Sequence, residues 1–142
     1  MRYLLDTNVL SEITKSLPDT AVIDWLYDQK PNEIWVSVLT MGEIERGILL
    51  LKSSPQRKAL RQWFQGLKKQ YAGQTLDFDE MAAHQWAEMY GRPLYKDGVP
   101  KVMDSLIAAF AKAHGFILVT RNVKDMPGSV KVLNPWKYKR AA

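Results

Sequence analysis

Four short apolar runs separated by long segments of helical periodicity constrain this chain more than any other feature. Arg2–Leu5, Ile34–Val38, Phe116–Val119 and Lys131–Leu133 are aliphatic and β-branched, too short for buried helices, and read as strands. Between them lie amphipathic stretches. Asp19 and Thr20 cap a helix over Ala21–Gln29 with Val22, Ile23, Leu26 and Tyr27 on one face. Thr40 opens a helix carrying Ile44, Ile48 and Leu51. Ser54-Pro55 starts another that runs to about Tyr71, since proline at the first helical position sacrifices no hydrogen bond. Its apolar face is Leu60, Trp63, Phe64 and Leu67, and its other side carries Arg57, Lys58, Arg61, Lys68 and Lys69. Asp77 with Glu80 reads as the cap of a helix through Ala82, Trp86 and Met89. Gly91–Pro100 reads as a loop, and Val102–His114 as an alanine-rich helix stopped by Gly115. Strands joined through helices form a parallel sheet with right-handed crossovers, covered on both faces. In such sheets ligands bind beyond the carboxyl ends of the strands.

Composition narrows the chemistry. A chain of 142 residues, 46% hydrophobic and 25% charged, suits one domain with one sizeable core. There is no cysteine, which excludes disulfides, thiolate zinc sites and cysteine nucleophiles. No apolar run approaches the roughly 18 residues of a membrane span, and Asp6 interrupts the N-terminal apolar stretch, so a soluble, cytoplasmic protein is expected. The formal charge of +5 favours a polyanionic partner.

Against that basic background, four acids fall at the expected functional rim. Asp6 directly follows the first strand; Glu43 follows the second; Asp104 lies in the first turn of the alanine-rich helix; Asp125 follows the Phe116–Val119 strand. Each has an ordinary local reading: a turn or cap for Asp6, a Thr-x-x-Glu capping box for Glu43, a dipole-favoured acid for Asp104 and a loop acid for Asp125. Together, four segments deliver carboxylates to one edge. Clustered carboxylates repel unless cations balance them, and Mg²⁺ or Mn²⁺ suits an all-oxygen set. His84 and His114 stand in separate helices and form no zinc cluster.

The ordered segments Leu4-Leu5-Asp6-Thr7-Asn8-Val9-Leu10-Ser11-Glu12, Thr40-x-x-Glu43, Asp104-Ser105-Leu106-Ile107-Ala108-Ala109, Val119-Thr120-Arg121-Asn122-Val123-Lys124-Asp125 and Asn134-Pro135-Trp136 together resemble the PIN-domain ribonucleases. The resemblance, from Arg2 to Trp136, is to the VapC-type toxins of bacterial toxin–antitoxin pairs and the similar FitB proteins. It implies a three-layer α/β/α domain over 1–136 with about five parallel strands, followed by a basic tail, 137–142. It also implies a metal-dependent endoribonuclease, forming dimers and neutralised by a small cognate antitoxin. Asp6, Glu43 and Asp104 match the family's core acids and would ligate Mg²⁺ or Mn²⁺. Many relatives place a fourth acid where this chain has Asn122, and others only at the position of Asp125, so the fourth ligand and a second ion stay open. Thr7, Asn8 and Thr120 would support Asp6 or the scissile phosphate, and Arg46 and Arg121 would contact RNA phosphates. Arg92, Lys96, Lys101, Lys137, Lys139 and Arg140 are further basic candidates. Two rivals are a phospho-receiver domain, which needs a second acid beside Asp6, and a non-catalytic binding module on the same scaffold.

Overall fold

The computed structural model describes residues 1–141. Five parallel strands form one sheet: β1 (Tyr3–Leu5), β2 (Ile34–Ser37), β3 (Thr75–Leu76), β4 (Ile117–Val119) and β5 (Val132–Leu133), in the order β3-β2-β1-β4-β5. Six helices accompany them: α1 (Thr7–Glu12), α2 (Thr20–Asp28), α3 (Val38–Leu49), α4 (Pro55–Gln70), α5 (Glu80–Tyr90) and α6 (Val102–His114). The three-layer α/β/α expectation holds.

Side chains alternate across a strand, and here the alternation divides two cores. Tyr3, Leu5, Ile34, Val36 and Val119 face α1–α4, meeting Val22, Trp25, Ile44, Phe64 and Leu67. Leu4 and Leu118 face the other way, onto Ile107, Ala108, Phe110 and Ala111 of α6 and Ala82 and Met89 of α5. Leu4, Leu5, Leu118 and Val119 are fully buried, as central strands of a doubly covered sheet must be. The alanines of α6 let its backbone approach the sheet. Gly115, at φ 70°, ends α6 in the left-handed conformation that costs glycine little.

Several boundaries differ from the sequence expectation. Helix α3 begins at Val38, capped by the Ser37 hydroxyl accepting from the Leu39 amide, rather than at Thr40. The expected Thr40–Glu43 capping box therefore does not form; Thr40 is buried with its hydroxyl unpartnered. Helix α5 is capped by Asp79, which accepts from the Ala82 amide, and not by Asp77. The Gly91–Pro100 loop contains a 3₁₀ turn at Pro93–Tyr95. Of the expected tail, 137–142, Ala142 lies outside the described residues. The rest is strapped to α2, where Arg140 donates to both carboxylate oxygens of Asp28 at 2.8 and 3.0 Å and Tyr138 donates to Asp28 at 2.8 Å. Among the described residues no helix is long and apolar enough to cross a membrane.

Candidate functional site

Strand register builds the centre of the site. β1 and β4 end level, with Leu5 opposite Val119, so the next residues, Asp6 and Thr120, emerge side by side although 114 positions apart. The Asp6 amide closes the ladder by donating to the Val119 carbonyl at 2.9 Å. One Asp6 carboxylate oxygen accepts from the Thr7 amide at 2.7 Å, making Asp6 the cap of α1; the other accepts from the Thr120 hydroxyl at 2.9 Å. Both residues are buried, Asp6 at 2% exposure and Thr120 at 0%. The Thr120 oxygen in turn accepts from the Asn8 side-chain amide at 3.1 Å and from the Asn122 backbone amide at 3.1 Å. Asn8 also accepts from the Arg121 amide at 3.3 Å. Thr120 is thus the hub that holds the β1 and β4 ends in one arrangement.

Glu43 reaches the same rim from α3, accepting a hydrogen bond from the Thr7 hydroxyl at 2.6 Å. This contact replaces the local capping box: a carboxylate that sequence spacing assigns to its own helix end is used instead to tie α3 to α1. Asp104 arrives from the opposite layer. Because α6 ends at His114, just before β4 begins, its first turn lies at the carboxyl edge of the sheet.

Electrostatics record this convergence. The Asp6 carboxyl is pushed above the ordinary carboxylate range, chiefly by burial, while its bonds from Thr120 and Thr7 pull it back and the charges of Asp104 and Glu43 raise it further. Asp104 is also raised, first by burial, with Lys101 opposing and Asp125 adding to the shift. Asp125 is exposed and paired with Lys101 at 2.5 Å. Asn122 is exposed, and its backbone amide rather than its side chain makes the recorded contact to the hub.

The remaining candidates are placed unevenly. Arg46 is exposed on α3, three residues beyond Glu43. Arg121 sits at the rim with its guanidinium 5.1 Å from the centre of the Trp136 ring. Lys101 is drawn to Asp125, and Arg140 is taken up by Asp28 on α2. Of the histidines, His114 pairs with Asp79 at 2.7 Å, joining α6 to the start of α5, and His84 lies 3.7 Å from Glu88. Two features escape sequence reasoning. Glu12, 5% exposed, accepts from Lys15 at 2.8 Å and from the Asp19 amide at 2.9 Å, pinning the turn between α1 and α2. The Lys101–Asp125 pair joins residues 24 positions apart, and no local pattern announces it.

The donor set around Asp6 is entirely oxygen, which suits a hard divalent cation. Among the described residues no three acids or histidines are grouped so that they could together hold a metal ion. The rim is an acidic edge and not a preformed three-carboxylate site. Mg²⁺ usually takes one or two protein carboxylates and keeps waters or phosphate oxygens in its other positions, so Asp6 with one neighbouring acid is the donor set these residues could offer it.

The PIN domain family profile matches residues 3–124. The chain is 31% identical over 136 residues to VapC ribonuclease Y4jK of Sinorhizobium fredii, covering 94% of this chain and 97% of that protein. It is 31% identical over 135 residues to toxin FitB of Neisseria gonorrhoeae, covering 94% and 97%. The solved structure of FitAB bound to the IR36 DNA fragment superposes with a TM-score of 0.87 at 30% identity, covering 99% of both chains. VapBC2 from Rickettsia felis, solved bound to a DNA fragment from its promoter, shares the fold with a TM-score of 0.74 at 23% identity, as does a toxin–antitoxin complex from Klebsiella pneumoniae with a TM-score of 0.67 at 21% identity. With a profile match over most of its length, near-full-length relatives and a fold that superposes over nearly the whole chain, the chain belongs to the PIN-domain family, in its VapC-type, FitB-like branch.

Proposed function

We propose that the chain is a divalent-metal-dependent endoribonuclease that acts as the toxin of a toxin–antitoxin pair. The observation that supports this reading most is the buried Asp6 carboxylate, held by Thr7 and Thr120 and raised chiefly by burial and further by the charges of Asp104 and Glu43. Such crowding is costly for a purely structural acid and is relieved by a cation.

Asp6 and Asp104 would hold Mg²⁺ or Mn²⁺, with Glu43 directly or through water. When bound, the ion supplies a water of lowered pKa and positive charge against the phosphate. The protein supplies the rest. Thr120 and the Thr7 amide fix Asp6 in one rotamer, each of its oxygens retaining acceptor capacity toward the rim. The Thr7 hydroxyl aims Glu43. Arg121 and Arg46 draw the RNA backbone to the acidic edge, so binding weakens as salt rises. Asp125, already neutralised by Lys101, is the weaker candidate for a further ligand, and Asn122 contributes no charge. Attack by water, in line with the leaving oxygen, predicts 5′-phosphate and 3′-hydroxyl ends. The partner proposed is a small cognate antitoxin, with the chain as a homodimer in a larger hetero-oligomer.

The test is cleavage of RNA with Mg²⁺, Mn²⁺ or EDTA, beside Asp6→Asn and Asp104→Asn. Expected are metal-dependent internal cuts with 5′-phosphate ends, lost in both variants. Ends bearing 2′,3′-cyclic phosphate would reject the water mechanism. Inertness of the wild-type chain in every metal would favour a binding module instead.

A further inference from the structure

Beside the acidic rim, sharing Asp104 with it, lies a cleft of about 330 Å³ whose aromatic wall the proposed chemistry does not use. It is enclosed by the end of α5, the Gly91–Pro100 loop, the first turn of α6 and the turn carrying Lys124 and Asp125. Asp104 forms part of its wall, so whatever fills it touches the reactive edge.

The walls have a specific chemistry. Tyr90 and Tyr95 meet edge to face, 5.0 Å between ring centres. Behind them Trp86 packs on Tyr90 at 6.2 Å and donates its indole N–H to the Ser105 hydroxyl at 2.8 Å. Ser105 is buried and adjoins Asp104 in α6, so the aromatic wall is braced to the helix that carries an acid of the rim. Lys124 adds positive charge to the lining, while Lys101, also in the wall, is paired with Asp125. Lys101 holds a left-handed backbone, φ 49° and ψ 63°, unusual for a residue with a side chain; it is the one non-glycine among the described residues with positive φ. Aromatic faces with a flanking ammonium group beside the acidic rim together match a nucleotide: a base for the tyrosines and a phosphate for Lys124. A base inside a duplex cannot offer its face to such a wall, whereas unpaired bases stack on aromatic side chains.

We infer that this cleft is a subsite for one unpaired nucleotide of the substrate, flanking the scissile phosphate, with Tyr95 and Tyr90 as the base platform and Lys124 as the phosphate contact. The inference rests on the nuclease reading for its biological substrate, but its physical content is tested separately.

The experiment is NMR of the full chain with labelled tyrosine rings, titrated without divalent metal with each of the four ribonucleoside 5′-monophosphates, and with ribose 5-phosphate as the base-free control. Expected are ring-current shifts of Tyr90 and Tyr95 with at least one nucleotide and none with ribose 5-phosphate. Tyr95→Ala should weaken that binding about tenfold, within the range for loss of one base stack. Tyr95→Phe, which keeps the ring, should bind as the wild type does. In cleavage, Tyr95→Ala should raise KM about tenfold. Shifts equal to those of ribose 5-phosphate, shifts confined to other tyrosines, or no response to any nucleotide overturn the subsite. Base-dependent shifts in a chain inert toward RNA in every metal would sink the nuclease reading and leave the subsite standing.

Discussion

Replacing Thr120 by Val tests the hub of the site with almost no change in shape. The wild-type hydroxyl donates to Asp6 at 2.9 Å and accepts from Asn8 and from the Asn122 amide, both at 3.1 Å. Valine keeps the buried volume and removes all three. A hydrogen bond to a charged group contributes about 1.5–3 kcal/mol. Asn122 is exposed and Asn8 half-buried, so water can replace their partner and they add little. The expected loss is therefore about 2–3 kcal/mol, or roughly 6–10 °C in Tm for a domain of this size.

The pH dependence has a definite sign. The folded Asp6 carboxyl lies above its ordinary value, so the folded state holds its proton more tightly than the unfolded state does. Without a cation, Asp6 thus favours folding at low pH, and that contribution is lost as pH rises from the ordinary carboxylate range through the folded pKa. The Thr120 bond lowers the folded pKa, so Thr120→Val raises it and extends this falling window upward. Since a protonated Asp6 is a poor cation ligand, the acid limb of the cleavage profile should move to higher pH. Thermal unfolding across pH, with and without Mg²⁺, and the pH profile of cleavage provide the assay. Thr120→Ser should restore most of both properties. A valine variant within about 0.5 kcal/mol of wild type, the usual scatter of an inconsequential surface change, with an unmoved acid limb would refute the hub argument.

Other perturbations give separable outcomes. Asp104→Asn should abolish cleavage yet leave the metal-free fold as stable as the wild type or more so, because it removes a charge that burial penalises, whereas Asp6→Asn should abolish cleavage and lose stability as well, since its amide nitrogen would face the Thr7 or Thr120 donor; equilibrium urea unfolding checks both. Leu118→Ala, at a fully buried position between β4 and α6, should cost about 2–5 kcal/mol by the same measurement. Lys101→Gly should raise Tm by relieving the left-handed backbone while freeing Asp125, and calorimetric Mn²⁺ titration should then show tighter or additional binding; unchanged metal binding would mean that Asp125 stands outside the cation site. Arg140→Ala should speed hydrogen exchange in residues 137–141 with little effect on Tm, since exposed ion pairs contribute little to global stability.

How far the sequence was legible follows from how local each determinant is. Helices α2, α4 and α6 start and stop where Asp19, Ser54-Pro55 and Gly115 place them, because caps and prolines act within a few residues. The β3 strand was not legible: Thr75–Leu76 is too short for an alternating pattern and exists by pairing with Val36 and Ser37. Position at the rim was legible for Asp6, which follows a strand directly, and for Asp104, in the first turn of a helix that must return to the sheet. The role of Glu43 was ambiguous, since Thr40-x-x-Glu43 describes a capping box that the structure does not build.

The amino-acid order by itself determined the layered parallel architecture, the family, and which acids stand beside strand ends or helix starts, because periodicity, capping and turn chemistry are short-range. Tertiary structure alone decided that Glu43 bonds to Thr7, that Thr120 holds Asp6, and that Lys101 neutralises Asp125. Each of those contacts spans dozens of residues and depends on strand register and helix packing. A one-residue slip in β4 would turn Thr120 to the opposite face of the sheet and leave the buried carboxylate without its partner.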